Sequence, residues 1–254
     1  MANITPIKKE THQKIKIAAK RDLSNVSTQH IAPITAPEFS QAATSYPVVI
    51  VKDQGSERYR SVVMLGLEAG ENLYYKEDSW QAVYVPQSIS MSPFSLGLDP
   101  EKEKTLTACI DLDSKFVGED KEHELFDAEG NDTEFFKGVQ DSLGRLYDNE
   151  VMNEKFIKEL VDNDLLLELE LNVNFASGET KKLVGLYSVD EKKIQALSDE
   201  QVLDFHKRGL FIPIHAMLGS VGQVNRLAQL RNQSESPAKV SAIRFSPLTP
   251  EAAK

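Results

Sequence analysis

The chain has 254 residues, 41% of them apolar and 27% charged, which is enough to bury a core as one large domain or two small, closely joined ones. Its formal net charge of −10 argues against nucleic acid as a partner, because no segregated basic face offsets the acidic surplus. The single cysteine, Cys109, excludes a disulfide framework and a cysteine-rich metal site, and its apolar neighbours favour a buried thiol over a reactive one.

No apolar run reaches the length of a membrane span, and residues 1–22 lack the continuous apolar stretch of a secretion signal. We therefore expect a soluble protein in the cytoplasm.

The first half of the chain is rich in short β-branched runs. Residues 14–17 alternate polar and apolar side chains as a half-buried edge strand does, and the Ser, Thr, Ala and Pro content of 24–37 predicts a surface loop. One helical turn is expected within 38–45. The other predicted strands are 48–51 and 61–65 as one hairpin, 72–75 and 80–85 as a second pair, and 105–112.

The second half combines helices with one strand pair. Apolar residues at helical spacing from 133 to 160 predict one long helix, or two that meet at Gly144. Strict alternation over 167–175 predicts a strand with one buried face, paired with 182–189.

Beyond the strand pair, the predicted elements are shorter. Asp190 and Ser198 are predicted helix N-caps, and Gly209 is predicted to end a helix. A short strand is expected at 210–214, and a last helix at 220–230 with Ser220 as its cap. A disordered tail is expected at 233–254. Together these patterns predict an α+β fold with antiparallel hairpins in the strand-rich first half.

Motifs that carry chemistry are incomplete. Asp111, Asp113 and Glu122 fall at the first, third and twelfth positions of a calcium loop, but Phe116 replaces the glycine that its sharp turn needs. His123-Glu124 starts like a zinc-protease motif without its second histidine. We therefore predict no metal and no cofactor.

A few side chains are candidates for binding or catalysis. Trp80, Tyr84 and Tyr46 could stack on a ligand, or they could be core aromatic residues of strands. His215 could serve as a base for Ser220 or pair with Asp111 or Asp127, or it could be a core histidine.

Several segments of the chain resemble the SapC-like family of bacterial proteins. They are Glu38-Phe39, Ala42-Ala43 and Tyr46-Pro47-Val48-Val49; Leu65-Gly66-Leu67 and Gly70-Glu71-Asn72-Leu73; Trp80, Ala82 and Tyr84-Val85-Pro86; Ile110-Asp111 and Leu125-Phe126-Asp127 with Gly130 and Thr133; and His215, Ser220, Gln223 and Arg226-Leu227. The chain departs from the family pattern at Ser90-Met91, where a basic pair often precedes Tyr-Pro-Phe.

The resemblance implies a single domain over 1–232 and no known catalytic signature. The change from a strand-rich to a helix-containing pattern near residue 130 leaves two sub-domains, 1–130 and 131–232, as the alternative. Its relatives are often encoded beside TonB-dependent receptors and halogenase-like proteins, which implies an accessory role for a nutrient or peptide system. The family name implies a surface-layer or envelope role instead. Our first hypothesis is a non-enzymatic protein that binds a protein, peptide or small molecule through Trp80, Tyr84, His215 and Arg226; the alternative is an enzyme with an acid–base site around His215.

Overall fold

The computed structural model describes residues 3–20, 23–53, 55–56, 58–99 and 105–248. The strands within these residues are β1 Ile4–Pro6, β2 Lys16–Ile17, β3 Ile31–Pro33, β4 Val48–Lys52, β5 Tyr59–Met64, β6 Tyr75–Lys76, β7 Ser79–Trp80, β8 Phe94–Leu98, β9 Leu106–Asp111, β10 Val117–Gly118, β11 His123–Glu124, β12 Leu166–Phe175, β13 Thr180–Val189 and β14 Val240–Pro247. The α-helices are α1 Lys9–His12, α2 Phe39–Ala42, α3 Gln87–Ser90, α4 Glu134–Asp162, α5 Glu191–Gln195, α6 Asp199–Lys207, α7 Phe211–Ser220 and α8 Val224–Gln233; short 3-10 segments cover Ser24–Val26, Ala36–Glu38 and Val221–Gln223.

The chain forms two compact units and has the predicted α+β class. Unit 1 comprises Met1–Asp22 and Gln87–Glu150, and unit 2 comprises Leu23–Pro86 and Val151–Lys254. Each unit therefore draws on two separate stretches of chain and does not follow the sequential sub-domains 1–130 and 131–232. The single domain over 1–232 stays a prediction.

Unit 1 has two three-stranded antiparallel sheets, in the orders β1-β9-β8 and β10-β2-β11. The strand β2 lies between two partners, so the edge strand expected at 14–17 is wrong in its position. Cys109 on β9 is buried, and burial raises the pKa of its thiol. A smaller fraction of reactive thiolate is therefore present, which agrees with an inert side chain. The core cluster of this unit consists of Ile17, Phe94, Ile110, Leu125, Phe126, Phe136 and Leu143.

Unit 2 contains a six-stranded sheet in the order β14-β12-β13-β4-β5-β3, with every neighbouring pair antiparallel. The hairpin of β4 and β5 and the pair of β12 and β13 confirm two predictions. In β12 the apolar residues Leu169, Leu171 and Val173 are buried while the polar residues between them stay more exposed. Alternation thus fixes which face of the strand meets the core.

Two helices of unit 2 begin where the sequence places their caps. The Asp190 side chain accepts hydrogen bonds from the backbone of Lys192 and Lys193, and Ser198 with Gln201 forms a capping box. Gly209 follows α6 with a φ of +71°, a left-handed conformation that favours glycine.

The segment 210–214 is helical, so the strand predicted there is wrong. Pro213 lies in the first turn of α7, where its missing N–H has no intrahelical partner to lose. Ser220 is also not the cap of α8. It is fully buried at the end of α7, donates to the Met217 carbonyl and accepts a hydrogen bond from the Val48 N–H at 2.9 Å.

Other elements differ from the expectations in extent. The predicted loop 24–37 contains the edge strand β3, and the predicted disordered tail contains β14, which pairs with β12 along its length; residues 249–254 of that tail lie outside the described part. Pairing with long neighbours supplies the order that their composition does not predict. The second predicted strand pair shrinks to β6 and β7, two residues each, and α4 continues through Gly144 as one helix.

Candidate ligand-binding groove

The Trp80 loop, residues 80–86, leaves β7 and turns back on itself. The indole Nε1 of Trp80 donates to the Tyr46 hydroxyl at 2.7 Å and to the Tyr84 carbonyl at 3.2 Å. The Tyr46 hydroxyl donates to the same carbonyl. These bonds fix the plane of the indole ring relative to the loop that follows it.

A buried carboxylate anchors the far end of the Trp80 loop. The Tyr84 hydroxyl donates to Oε1 of Glu38 at 2.5 Å, and Oε2 of Glu38 accepts from the backbone N–H and the hydroxyl of Thr35, at 3.0 and 2.7 Å. Burial, then the hydrogen bond to Glu38, raises the pKa of the Tyr84 phenol well above its usual range. The phenol therefore stays a donor at neutral pH.

Two further tyrosines pack beneath the indole ring. Tyr74 and Tyr46 are both fully buried, with ring centroids 4.6 Å apart in an edge-to-face arrangement, and Tyr74 stacks on Trp80 at 6.3 Å. The Tyr74 hydroxyl donates to the Ser45 carbonyl at 2.5 Å. Burial raises the pKa of both phenols far above 10. The aromatic stack is thus a rigid, uncharged support for Trp80.

The Trp80 groove is an open depression of about 430 Å³ beside this stack. Its lining residues are Thr44, Ser45, Tyr74, Trp80, Gln81, Ala82, Val83, Gln223 and Arg226. The helix α8 presents Arg226 and the 3-10 segment before it presents Gln223, whose side chain donates to the Ala43 carbonyl at 3.1 Å. The groove therefore combines an aromatic wall, several polar groups and one cation.

Arg226 is half-buried and donates one hydrogen bond, to Oε1 of Gln229 at 2.7 Å. No carboxylate among the described residues lies within ion-pairing distance of its guanidinium. Arg208 and Arg231 of the same unit, in contrast, each pair with two carboxylates. A guanidinium without an anionic partner at the edge of a groove can accept a carboxylate or another planar anion from outside.

His215 lines a neighbouring groove of about 420 Å³ that also has Thr44 in its wall. Its exposed ring stacks on Phe211 with centroids 5.8 Å apart. The carboxylates considered as its acid–base partners belong to unit 1, where Asp111 accepts from the backbone of Asn3 and Asp113, and Asp127 from Asn131. His215 is therefore exposed rather than a core residue, and Ser220 is committed to Val48 and Met217.

The four predicted site residues thus have different places. Trp80 and Arg226 line the same groove, and His215 lines the adjacent one. Tyr84 lines neither: its side chain points to Glu38, and it acts by holding the Trp80 loop.

The sequence profile of the SapC family matches residues 7–227. The chain belongs to the SapC family. No curated protein and no solved structure matches it. None of the helices in the described residues is both long and apolar enough to cross a membrane. The same residues contain no cluster of three or more His, Cys, Asp or Glu side chains that could hold a metal ion.

The Gly70-Glu71-Asn72-Leu73 segment, one of those that carry the SapC resemblance, is a structural support near the groove. The backbone of Gly70 is left-handed, with φ at +85°, and Glu71 forms an ion pair with the buried Arg231 of α8. The Asn72 side chain donates to the Val26 carbonyl and accepts from the N–H of Tyr74. The segment thereby holds Tyr74 under the indole ring.

Sequence reasoning missed several residues of the Trp80 groove. Tyr74 was assigned to a strand, and Thr44, Gln81 and Gln223 have no motif that marks a binding role. The clearest signal that was missed begins in the segment 210–214. On a helix, Ile212, His215 and Gly219 are three and four residues apart and share one exposed face. The strand prediction concealed that face.

Proposed function

We propose that this SapC-family protein is a non-enzymatic binding protein whose ligand carries a negative charge and occupies the Trp80 groove. The observation that carries the proposal is the half-buried Arg226, which has no carboxylate partner among the described residues and lies beside an indole ring held by two hydrogen bonds. A concave site with an aromatic wall and a few converging polar groups is typical of ligand recognition.

The preorganised donors and rings support binding rather than conversion. Near the groove, the exposed His215 has no carboxylate partner among the described residues, and the Ser220 hydroxyl is buried in hydrogen bonds to the backbone. A nucleophile with a base in hydrogen-bond reach is the arrangement that covalent catalysis needs. The groove offers contacts for affinity without that arrangement.

Intrinsic tryptophan fluorescence monitors the Trp80 groove, because Trp80 is the one tryptophan of the chain. Phenylacetate, a planar apolar group with a carboxylate, is predicted to change the intrinsic fluorescence of Trp80 saturably, and the uncharged phenylacetamide to bind about tenfold or more weakly through loss of the charge-assisted hydrogen bond. The Trp80→Phe variant, which lacks the indole, is the control for signal that does not come from Trp80. Equal fluorescence responses to phenylacetate and phenylacetamide would show that Arg226 does not contribute to binding. No response to any planar anion would refute the proposal.

The accessory role beside a receptor or halogenase-like protein, and the cytoplasmic location, remain predictions from the family resemblance and the sequence. Affinity capture of the tagged protein from its own cells, with Arg226→Gln as the matched bait, tests the partner. Cell fractionation separates a cytoplasmic protein from one that coats the envelope.

A further inference from the structure

The Trp80 groove is one end of a longer feature of unit 2. Thr44 lines both it and the His215 groove, and Ile212 lines both the His215 groove and a third groove of about 470 Å³. The third groove is largely apolar and is lined by Ala36, Pro37, Met152, Lys155, Phe156, Glu159, Arg208, Gly209, Leu210, Ile212 and Pro213. We call these three neighbouring grooves, each of which shares one lining residue with the next, the α7 track.

The chemistry changes along the α7 track. At one end Ile212 and Met152 are 68% and 48% exposed, so this groove presents apolar side chains to solvent. In the middle, Ser40, Thr44 and His215 stand among the small residues Ala43, Ala216 and Gly219, and the other end has Trp80 and Arg226. An occupant that matches this order has an apolar group, then a polar stretch, then a flat group with a negative charge.

The length of the α7 track selects the class of occupant. Ile212 and Gly219 are seven residues apart on α7, which corresponds to about 10 Å along the helix axis. An extended peptide advances about 3.3 Å per residue, so about three residues cover this stretch and one more enters each end groove. A small molecule the size of phenylacetate is too short to reach beyond the Trp80 groove.

From these observations we infer that the α7 track binds an extended peptide of about five residues, with an apolar side chain in the third groove, beside Met152, and a terminal or side-chain carboxylate on Arg226. The inference rests on the proposed function and specifies its ligand. An acyl chain fits less well, because its methylenes would cover Ser40, Thr44 and His215 without giving them a hydrogen-bond partner. A peptide backbone instead brings donors and acceptors to the hydroxyls of Ser40 and Thr44.

Gly219 offers a clean way to close the middle of the α7 track. A Cβ added there meets nothing within 4 Å, and Gly219 lines the His215 groove, so we expect a leucine side chain to extend into that groove. Gly222 also has open space around its Cβ but lines none of the three grooves. Gly219→Leu and Gly222→Leu are therefore a blocking variant and its matched control.

The test follows Trp80 fluorescence with three probes: phenylacetate, octanoate, and an acetylated six-residue peptide with leucine at its second position, serine and glycine in the middle, and phenylalanine with a free carboxylate at its end. We expect the peptide to bind the wild-type chain at least about tenfold tighter than phenylacetate, since the contacts along the track add to those at Arg226. Gly219→Leu should reduce peptide affinity at least about tenfold while phenylacetate affinity stays unchanged. Gly222→Leu should change neither.

Each contrary result has a distinct meaning. Equal peptide affinity in the two glycine variants, with phenylacetate still bound, would overturn the peptide inference and leave the Trp80 groove intact. Octanoate binding as tight as the peptide and equally sensitive to Gly219→Leu would assign the track to an acyl chain and overturn the inference as well. No response to any probe would overturn the inference together with the proposed function. Circular dichroism confirms that both variants are folded.

Discussion

Glu38 connects the Trp80 loop to the interior of unit 2 through the hydroxyl of Tyr84. The carboxylate is 3% exposed and already accepts two hydrogen bonds from Thr35. A buried charged group that loses a donor is costly, because water cannot replace the lost bond. The position of the indole therefore depends on a residue that does not touch the groove.

Removing that one hydroxyl measures its contribution. Tyr84→Phe is expected to lower the free energy of unfolding by about 1–3 kcal/mol and to shift the emission of Trp80, because one donor to Glu38 is lost. Tyr75→Phe is the control: its hydroxyl bonds to the exposed Asp78, and the expected loss is about 0.5 kcal/mol or less. Denaturant unfolding provides both values, and an equal cost for the two variants would contradict the anchoring role of Glu38.

Substitutions at two glycines in different elements, Gly66 and Gly144, are expected to change the stability of the protein in opposite directions. A Cβ at Gly66 would lie 2.2 Å from the carbonyl oxygen of Glu71, so the chain turn that carries Glu71 requires glycine there. Gly144 in the middle of α4 has nothing within 4 Å of an added Cβ.

Alanine substitutions distinguish these two environments. Gly66→Ala is expected to destabilise the protein by about 1–3 kcal/mol through backbone displacement, whereas Gly144→Ala is expected to stabilise it by about 0.5–1 kcal/mol as a helix-interior replacement. Thermal unfolding of both variants beside the wild type checks the pair. A stabilised Gly66→Ala variant would show that this turn is not tightly packed.

The elements also show what periodicity predicts and what it does not. The alternation of β12, the capping box of α6 and the hairpin of β4 and β5 are local signals, and the structure has each of them. The helix α7 was misread because Pro213 is equally typical of a helix's first turn and of a broken strand. The strand β14 depends on β12, a partner 65 or more residues earlier, which no local pattern encodes.

For the site, the sequence predicted two lining residues of the same groove, Trp80 and Arg226, and a third, His215, in the adjacent one. The Arg226 prediction came from the SapC resemblance and not from spacing. Tyr74 joins the Trp80 groove through tertiary packing, because its segment is far from that of Gln223 and Arg226 along the chain. Gln223 lies three residues before Arg226, and Gly219 lies one helical turn after His215. Residue type alone could not mark them.

At the scale of the whole molecule, buried phenols make stability sensitive to alkaline pH. Burial raises the pKa of Tyr46, Tyr74 and Tyr84, and less strongly that of Tyr187. Their pKa values in the folded state are above the unfolded value of about 10, so the folded state holds more protons at high pH. The stabilisation is therefore complete below about pH 10 and is lost as the pH rises above it.

An alkaline titration followed by phenolate absorbance and circular dichroism tests this expectation. We expect some of the seven tyrosines to ionise near pH 10 without loss of structure, and the others to ionise only as the fold is lost. A single ionisation phase with the circular dichroism unchanged would mean that water reaches Tyr46 and Tyr74.

We infer that Arg226 receives the negative charge of a ligand beside Trp80. Phenylacetate titrations of Arg226→Gln and Arg244→Gln test it most directly, because both variants lose one positive charge and Arg244 is exposed on β14, away from the groove. We predict that Arg226→Gln weakens binding about tenfold or more while Arg244→Gln keeps the wild-type affinity. Equal affinities of the two variants for phenylacetate would show that Arg226 does not receive the negative charge of the ligand.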